Sequence, residues 1–225
     1  MDKFYRVEYT GKIKRTGDVF DTTDEEVAEE EGIHNEKMEY GPRDLTSEEE
    51  LIEGVMEQLE EMEEGEEKEF TVPPEKGYGK RDPSKVEMVP KKDFEDTEVT
   101  PMPGMQVILD GQPAKIQTVS GGRVRVDFNN PLAGKDLEYK MKVLKVFEKD
   151  EEKAKVLIKE ELPVSEEEIR TQEQMEKETE DNKDTKKLLK VQVPLGTFGK
   201  DAEEEKEQVK EKIKDKTSYE TIEIE

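Results

Sequence analysis

The chain of 225 residues contains no cysteine, no tryptophan and a single histidine, His34. Without cysteine there are no disulfides and no thiolate metal sites. One imidazole leaves too few nitrogen ligands for a zinc or nickel centre, so no metal and no cofactor is expected. Neither Gly-x-x-x-x-Gly-Lys-Ser/Thr nor Gly-x-Gly-x-x-Gly occurs, and no Ser-x-Gly elbow accompanies the histidine, which sets aside phosphate cradles and hydrolase sets. Long apolar runs are missing, and none approaches the roughly 18 residues that cross a bilayer as a helix. The opening segment MDKFYRVEYTGKIK alternates like a strand and lacks the apolar centre of a signal peptide. Cations are scarce: 37 Lys and Arg stand against 61 Asp and Glu, a formal net charge of −24. A phosphate backbone needs clustered cations, so no nucleic-acid partner is expected. No membrane partner is expected either, and the expected location is the cytoplasm.

Charged residues make up 44% of the chain and hydrophobic residues 30%. That is a lean core, suited to several small units. A strongly acidic surface keeps a protein soluble and unassociated, which helps one that handles sticky chains. Abundant Glu and Lys, with no Cys or Trp, fit a thermophilic or salt-adapted organism.

Residues 4–10 alternate as a strand, with Phe4, Arg6 and Glu8 on one side and Tyr5, Val7 and Tyr9 on the other. Gly11 and Gly17 flank a second strand that ends at Phe20, and residues 24–37 read as an acidic loop with a helical turn. Leu51, Val55, Leu59 and Met62 form one apolar stripe of a helix. Ser47 with Glu50 fits a capping box before it, and Gly65 a stop after it. Glu67–Val72 reads as a strand. Between 84 and 130 lie four short β-rich runs, Val86–Val89, Met105–Leu109, Ala114–Val119 and Arg123–Phe128, punctuated by Asp110-Gly111 and Gly121-Gly122. Leu137–Phe147 is a long alternating strand with Leu137, Tyr139, Met141 and Val143 on one face. Beyond it, helices are predicted over 151–161, 165–180 (Ser165 and Glu168 as its capping box) and 200–215, and strands over 188–195 and 219–224.

Five landmarks stand in order: Val7-Glu8-Tyr9-Thr10-Gly11, Gly17-Asp18-Val19-Phe20-Asp21, Glu50-Leu51-Ile52-Glu53-Gly54-Val55, Gly77-Tyr78-Gly79 and Leu137-Glu138-Tyr139. Together they resemble the FK506-binding-protein type of prolyl isomerase. The excursion over 84–130, returning through Asn129-Asn130-Pro131-Leu132-Ala133-Gly134, resembles the SlyD subgroup, in which a small β domain is inserted in the flap near the active site. The C-terminal segment resembles the long archaeal members. The resemblance covers residues 1–150 well and the rest weakly. It implies an α+β fold, an antiparallel half-barrel sheet wrapped around one helix, with an inserted all-β domain and a C-terminal α/β appendage. The implied division is 1–84 plus 131–150, then 85–130, then 151–225. The implied activity is cis/trans isomerisation of X-Pro bonds in unfolded or partly folded polypeptides.

By the same resemblance Tyr9, Phe20, Leu51, Ile52, Val55 and Tyr139 line an apolar pocket, with Asp21 at its edge. The Ile52 backbone N–H and the Tyr78 hydroxyl hold substrate carbonyls. The family often carries Trp on the pocket floor where this chain has Val55, so macrolide binding is not implied. Nor is nickel binding, since the His-rich tail of SlyD is absent. In the insert, Met88, Phe94, Met102, Met105, Val107, Ile108 and Leu109 form a Met-rich apolar set suited to contact with varied sequences. Met102 and Met105 equally fit the small core of that unit, and Asp21 alone fits a turn or cap. Three functions compete: an isomerase with chaperone action, a non-catalytic holdase on the same scaffold, and a scaffold with the C-terminal region as an assembly element; separately, 151–225 is expected to promote homodimerisation. The last rests on the thin apolar stripes of 151–161 and 200–215.

Overall fold

A computed structural model describes residues 3–46, 51–94, 100–109, 111–177, 185–199 and 202–225. The Ser47/Glu50 capping pair and Asp110 of the Asp-Gly turn lie outside the described residues. So do 178–184, which include the last three residues of the predicted helix 165–180.

Two long strands, β1 (Phe4–Ile13) and β9 (Leu137–Phe147), pair antiparallel from Phe4↔Phe147 to Ile13↔Leu137. They form the spine of the first sheet, ordered β2 (Val19–Thr22), β1, β9, β4 (Glu67–Val72). A three-residue strand, β3 (Arg43–Leu45), pairs with β1 at Tyr5–Val7 and was not legible in the sequence. Helix α2 (Glu53–Glu60) packs Val55 and Leu59 against Tyr5, Val7, Val72, Leu137, Met141 and Val143 of the sheet. Gly54 permits that approach: a Cβ there would stand 2.6 Å from a Val72 methyl. The 24–37 segment holds a short helix, α1 (Glu25–Glu30), whose Val27 N–H donates to the Asp24 side chain.

Strict alternation would put Phe147 on the same face as Leu137 and Val143. The pairing instead slips by one residue, so that Arg6 and Val7 oppose Lys145 and Val143 with Leu144 bulged between. A bulge of one residue reverses the alternation beyond it. Val146 therefore joins the core under α2, and Phe147 turns to the other side, opposite Phe4.

Four strands between Val86 and Asp127 form a separate antiparallel sheet, ordered β5 (Val86–Pro90), β8 (Arg123–Asp127), β7 (Gln112–Ser120), β6 (Gln106–Leu109). Its core is Phe94, Ala114, Ile116, Val124 and Val126. The entry and exit of this unit are stapled together. Asn129 Nδ2 donates to the Asp82 carbonyl at 2.9 Å, the Asp82 N–H donates to Asn129 Oδ1 at 2.8 Å, and Arg81 pairs with Asp127.

The C-terminal region contains α3 (Asp150–Glu161), β10 (Arg170–Lys177), β11 (Thr185–Gln192), α4 (Ala202–Lys216) and β12 (Thr221–Ile224). Within the helix predicted over 165–180, Arg170–Lys177 is a strand instead. Ser165 and Glu168 do bond, with the Ser165 N–H and hydroxyl donating to Glu168 Oε2, but they close a turn. The next residues are drawn into the sheet by β11, whose Leu188, Leu189 and Val191 are buried and with which β10 pairs from Arg170↔Gln192 to Lys177↔Thr185. Such tertiary pairing overrides local propensity. β12 returns through α4 to lie parallel to β11. The apolar stripes of α3 and α4 are buried within the chain, in one core with Leu189, Val191, Ile222 and Ile224 and with Phe4 and Phe147 of the first sheet.

Candidate functional site

The first turn of α2, the inner face of β9 and the loop after β4 meet around a cleft of about 100 Å³. Tyr9, Asp21, Leu51, Ile52, Val55, Tyr78 and Tyr139 line it. The eighth residue expected there, Phe20, stands behind the wall with its ring edge-on to Tyr139, 5.7 Å between centroids. Three further residues line the cleft: Arg43, Leu45 and Met141. Arg43 and Leu45 leave no mark in the sequence pattern because β3 is too short to show alternation. Met141 was legible as facing the core, without a sign that it reaches the opening.

Tyr139 is the hub of the aromatic wall. Phe70 stacks on it at 5.8 Å and 16°, and Tyr9 tilts against it at 6.3 Å. Gly11 lies beneath this cluster, where a Cβ would come within 2.7 Å of the Phe20 ring. At the rim, Arg43 Nη1 donates to the Tyr9 hydroxyl at 2.7 Å, and that hydroxyl donates to Asp21 Oδ2 at 2.7 Å. Burial, followed by the Asp21 hydrogen bond, raises the Tyr9 phenol well above the ordinary tyrosine range, and burial does the same for Tyr139. Tyr78 is raised by burial and by the Asp21 charge, although its ring is partly exposed at the mouth. All three hydroxyls are therefore proton donors at neutral pH. Ile52 caps α2 in extended conformation and makes no side-chain hydrogen bond to the helix, while its carbonyl accepts from the Val55 and Met56 N–H groups.

A wider groove of about 450 Å³ adjoins the cleft across Tyr9 and Arg43, and its far side is formed by Lys159 and Glu160 of α3. Away from both, the carboxylates of Glu25 and Glu29 and the imidazole of His34 lie within 4.8 Å of one another, all exposed. His34 also stacks on Tyr40.

The apolar residues singled out in the insert divide by exposure. Met88, Met102 and Ile108 are exposed, at 54%, 56% and 77%. Met105, Val107 and Leu109 are half-buried against the core of the unit. Phe94 is buried at 3% and belongs to that core.

Residues 1–95 match the family described as FKBP-type peptidyl-prolyl cis-trans isomerase, and residues 87–132 match the IF domain of FKBP26. The short-type peptidyl-prolyl cis-trans isomerase of Methanocaldococcus jannaschii is 43% identical over 141 residues, 62% of this chain and 88% of that protein. The FKBP-type isomerase SlyD of Helicobacter pylori is 30% identical over 153 residues, 65% of this chain and 74% of that protein. SlyD of Haemophilus influenzae is 32% identical over 126 residues, 54% and 64% of the two chains. The chain belongs to the FKBP-type peptidyl-prolyl cis-trans isomerase family. Its mixed α/β fold, with largely antiparallel sheets and few helices, is consistent with that family. No helix among the described residues is long and apolar enough to cross a membrane.

Proposed function

We propose that this protein catalyses rotation about X-Pro bonds in unfolded or partly folded polypeptides, and that the insert delivers those chains to the cleft. The observation that carries the first part is the cleft itself, with an apolar floor of Ile52, Val55 and Tyr139 and hydroxyl donors at its edge. Rotation opposes a barrier of roughly 18–20 kcal/mol set by amide resonance. No bond is made or cut, so no nucleophile is needed. A water-poor apolar slot disfavours the polar planar amide more than the twisted one. The Tyr78 hydroxyl and the Ile52 N–H then hold the flanking carbonyls in the rotated geometry. A thousandfold acceleration requires about 4 kcal/mol, within reach of a pocket and two hydrogen bonds.

In this reading the catalytic unit is 1–84 with 131–150, the capture unit is 85–130, and 151–225 is a third unit that shares its core with Phe4 and Phe147. Client contact falls to Met88, Met102 and Ile108 on the outside of the insert, with Met105, Val107 and Leu109 at its partly open edge and Phe94 supporting from within. The edge strands β5 and β6 offer backbone groups to an extended client. Deleting 86–130 and rejoining the ends tests delivery. Refolding of a large proline-limited protein should slow markedly while turnover of a short proline peptide persists. Equal refolding rates with and without the insert would refute the capture role.

A further inference from the structure

Arg43 and Asp44 are neighbours on β3 and serve different partners. Arg43 reaches the cleft and donates to the Tyr9 hydroxyl. The Asp44 side chain, 9% exposed, accepts from Arg6 Nε at 2.6 Å and Nη2 at 2.8 Å, and from Lys159 Nζ of α3 at 3.2 Å. The same Arg6 guanidinium also donates to Glu166, in the turn after α3. Two residues past Asp44, the Thr46 hydroxyl donates to Glu160 of α3 at 3.0 Å.

β3 is three residues long, and its ladder to β1 covers only Tyr5–Val7. So short a pairing leaves the strand weakly placed by itself. Beyond the ladder, Asp44 is gripped by Arg6 of β1, and the C-terminal unit adds Lys159 on Asp44 itself and Glu166 on the far side of Arg6. A fork-to-fork Arg–carboxylate pair is directional as well as strong, and a pair this sheltered is little screened by salt.

From this geometry we infer that the C-terminal unit is a positioning device for the isomerase cleft. Lys159 and Glu166, acting through Asp44 and Arg6, hold β3 where Arg43 meets Tyr9, and Tyr9 in turn holds Asp21 at the rim. Lys159 and Glu166 are positioning residues that do not line the cleft. The inference rests on the isomerase reading of that cleft.

The test uses the full chain carrying Lys159→Ala with Glu166→Ala, and separately Lys159→Arg. Four quantities are read: kcat and KM on a short X-Pro peptide, the melting temperature, and amide hydrogen exchange over residues 43–45. The double variant should lose about three- to tenfold in kcat, the size usual for coupling through a network. KM and melting temperature should stay nearly unchanged, exchange at 43–45 should quicken, and Lys159→Arg should keep wild-type turnover. Wild-type kcat in the double variant would overturn the inference, as would a loss that merely follows melting temperature and appears equally in Lys159→Arg. If the wild-type chain shows no turnover, the reading of the cleft fails by itself. Exchange at 43–45 then decides the joint alone, and unchanged exchange in the double variant would refute it.

Discussion

Tyr9, Asp21 and Arg43 form a chain of two hydrogen bonds in which each group limits the others. Asp21→Leu leaves the Tyr9 hydroxyl without its acceptor and Arg43 with less negative charge beside it. Tyr78→Phe removes one donor from the mouth and little else. Loss of one hydrogen bond that tightens in the transition state is worth about tenfold to a hundredfold in rate. We expect reductions near the lower end for Tyr78→Phe, whose ring is partly exposed, and larger ones for Asp21→Leu. Both variants should still suppress aggregation of an unfolded client, because the exposed residues of the insert are untouched. Turnover at wild-type level in both would detach these side chains from catalysis, while a parallel loss of aggregation suppression would mean the two activities share one surface. The ordered motifs made most of this site legible. Arg43 was not, because its role comes from a three-residue strand and a contact 34 positions away along the chain.

The elements differ in how far local pattern decided them. The runs of the insert and the first ten residues alternate strongly and became strands where alternation placed them. β10 did not: its sequence RTQEQMEK is polar but for the exposed Met175, so its conformation follows from the strand that it pairs with. The bulge at Leu144 was equally hidden, since nothing in LEYKMKVLKVF signals a slip of register. Its consequence is large, because it turns Phe147 away from the α2 core and gives the C-terminal unit an anchor facing Phe4. Phe147 is 1% exposed, and Arg6 and Lys145 lie over its ring at 5.2 Å and 4.7 Å. Truncation of a buried Phe to Ala typically costs about 3–5 kcal/mol. Chemical denaturation of Phe147→Ala should show a loss of that order with the C-terminal and first-sheet signals shifting together. A loss confined to the C-terminal region would mean that the two do not share a core.

At the scale of the whole molecule, a sheet that builds the cleft carries a small inserted β unit and is backed through Phe4 and Phe147 by an α/β unit. With a net charge of −24, the surface that surrounds these parts is strongly acidic. Such a surface resists self-association. The three outward-facing residues Met88, Met102 and Ile108 stand out against it. One experiment bears on the whole account more directly than any other: the rate of cis/trans exchange in a short X-Pro peptide, followed by exchange NMR as protein is added at catalytic concentration. The account predicts an exchange rate that rises in proportion to protein, by orders of magnitude in rate per site over the free peptide. A rate that stays at the buffer value, with the protein folded, would contradict it and leave a scaffold that only holds its clients.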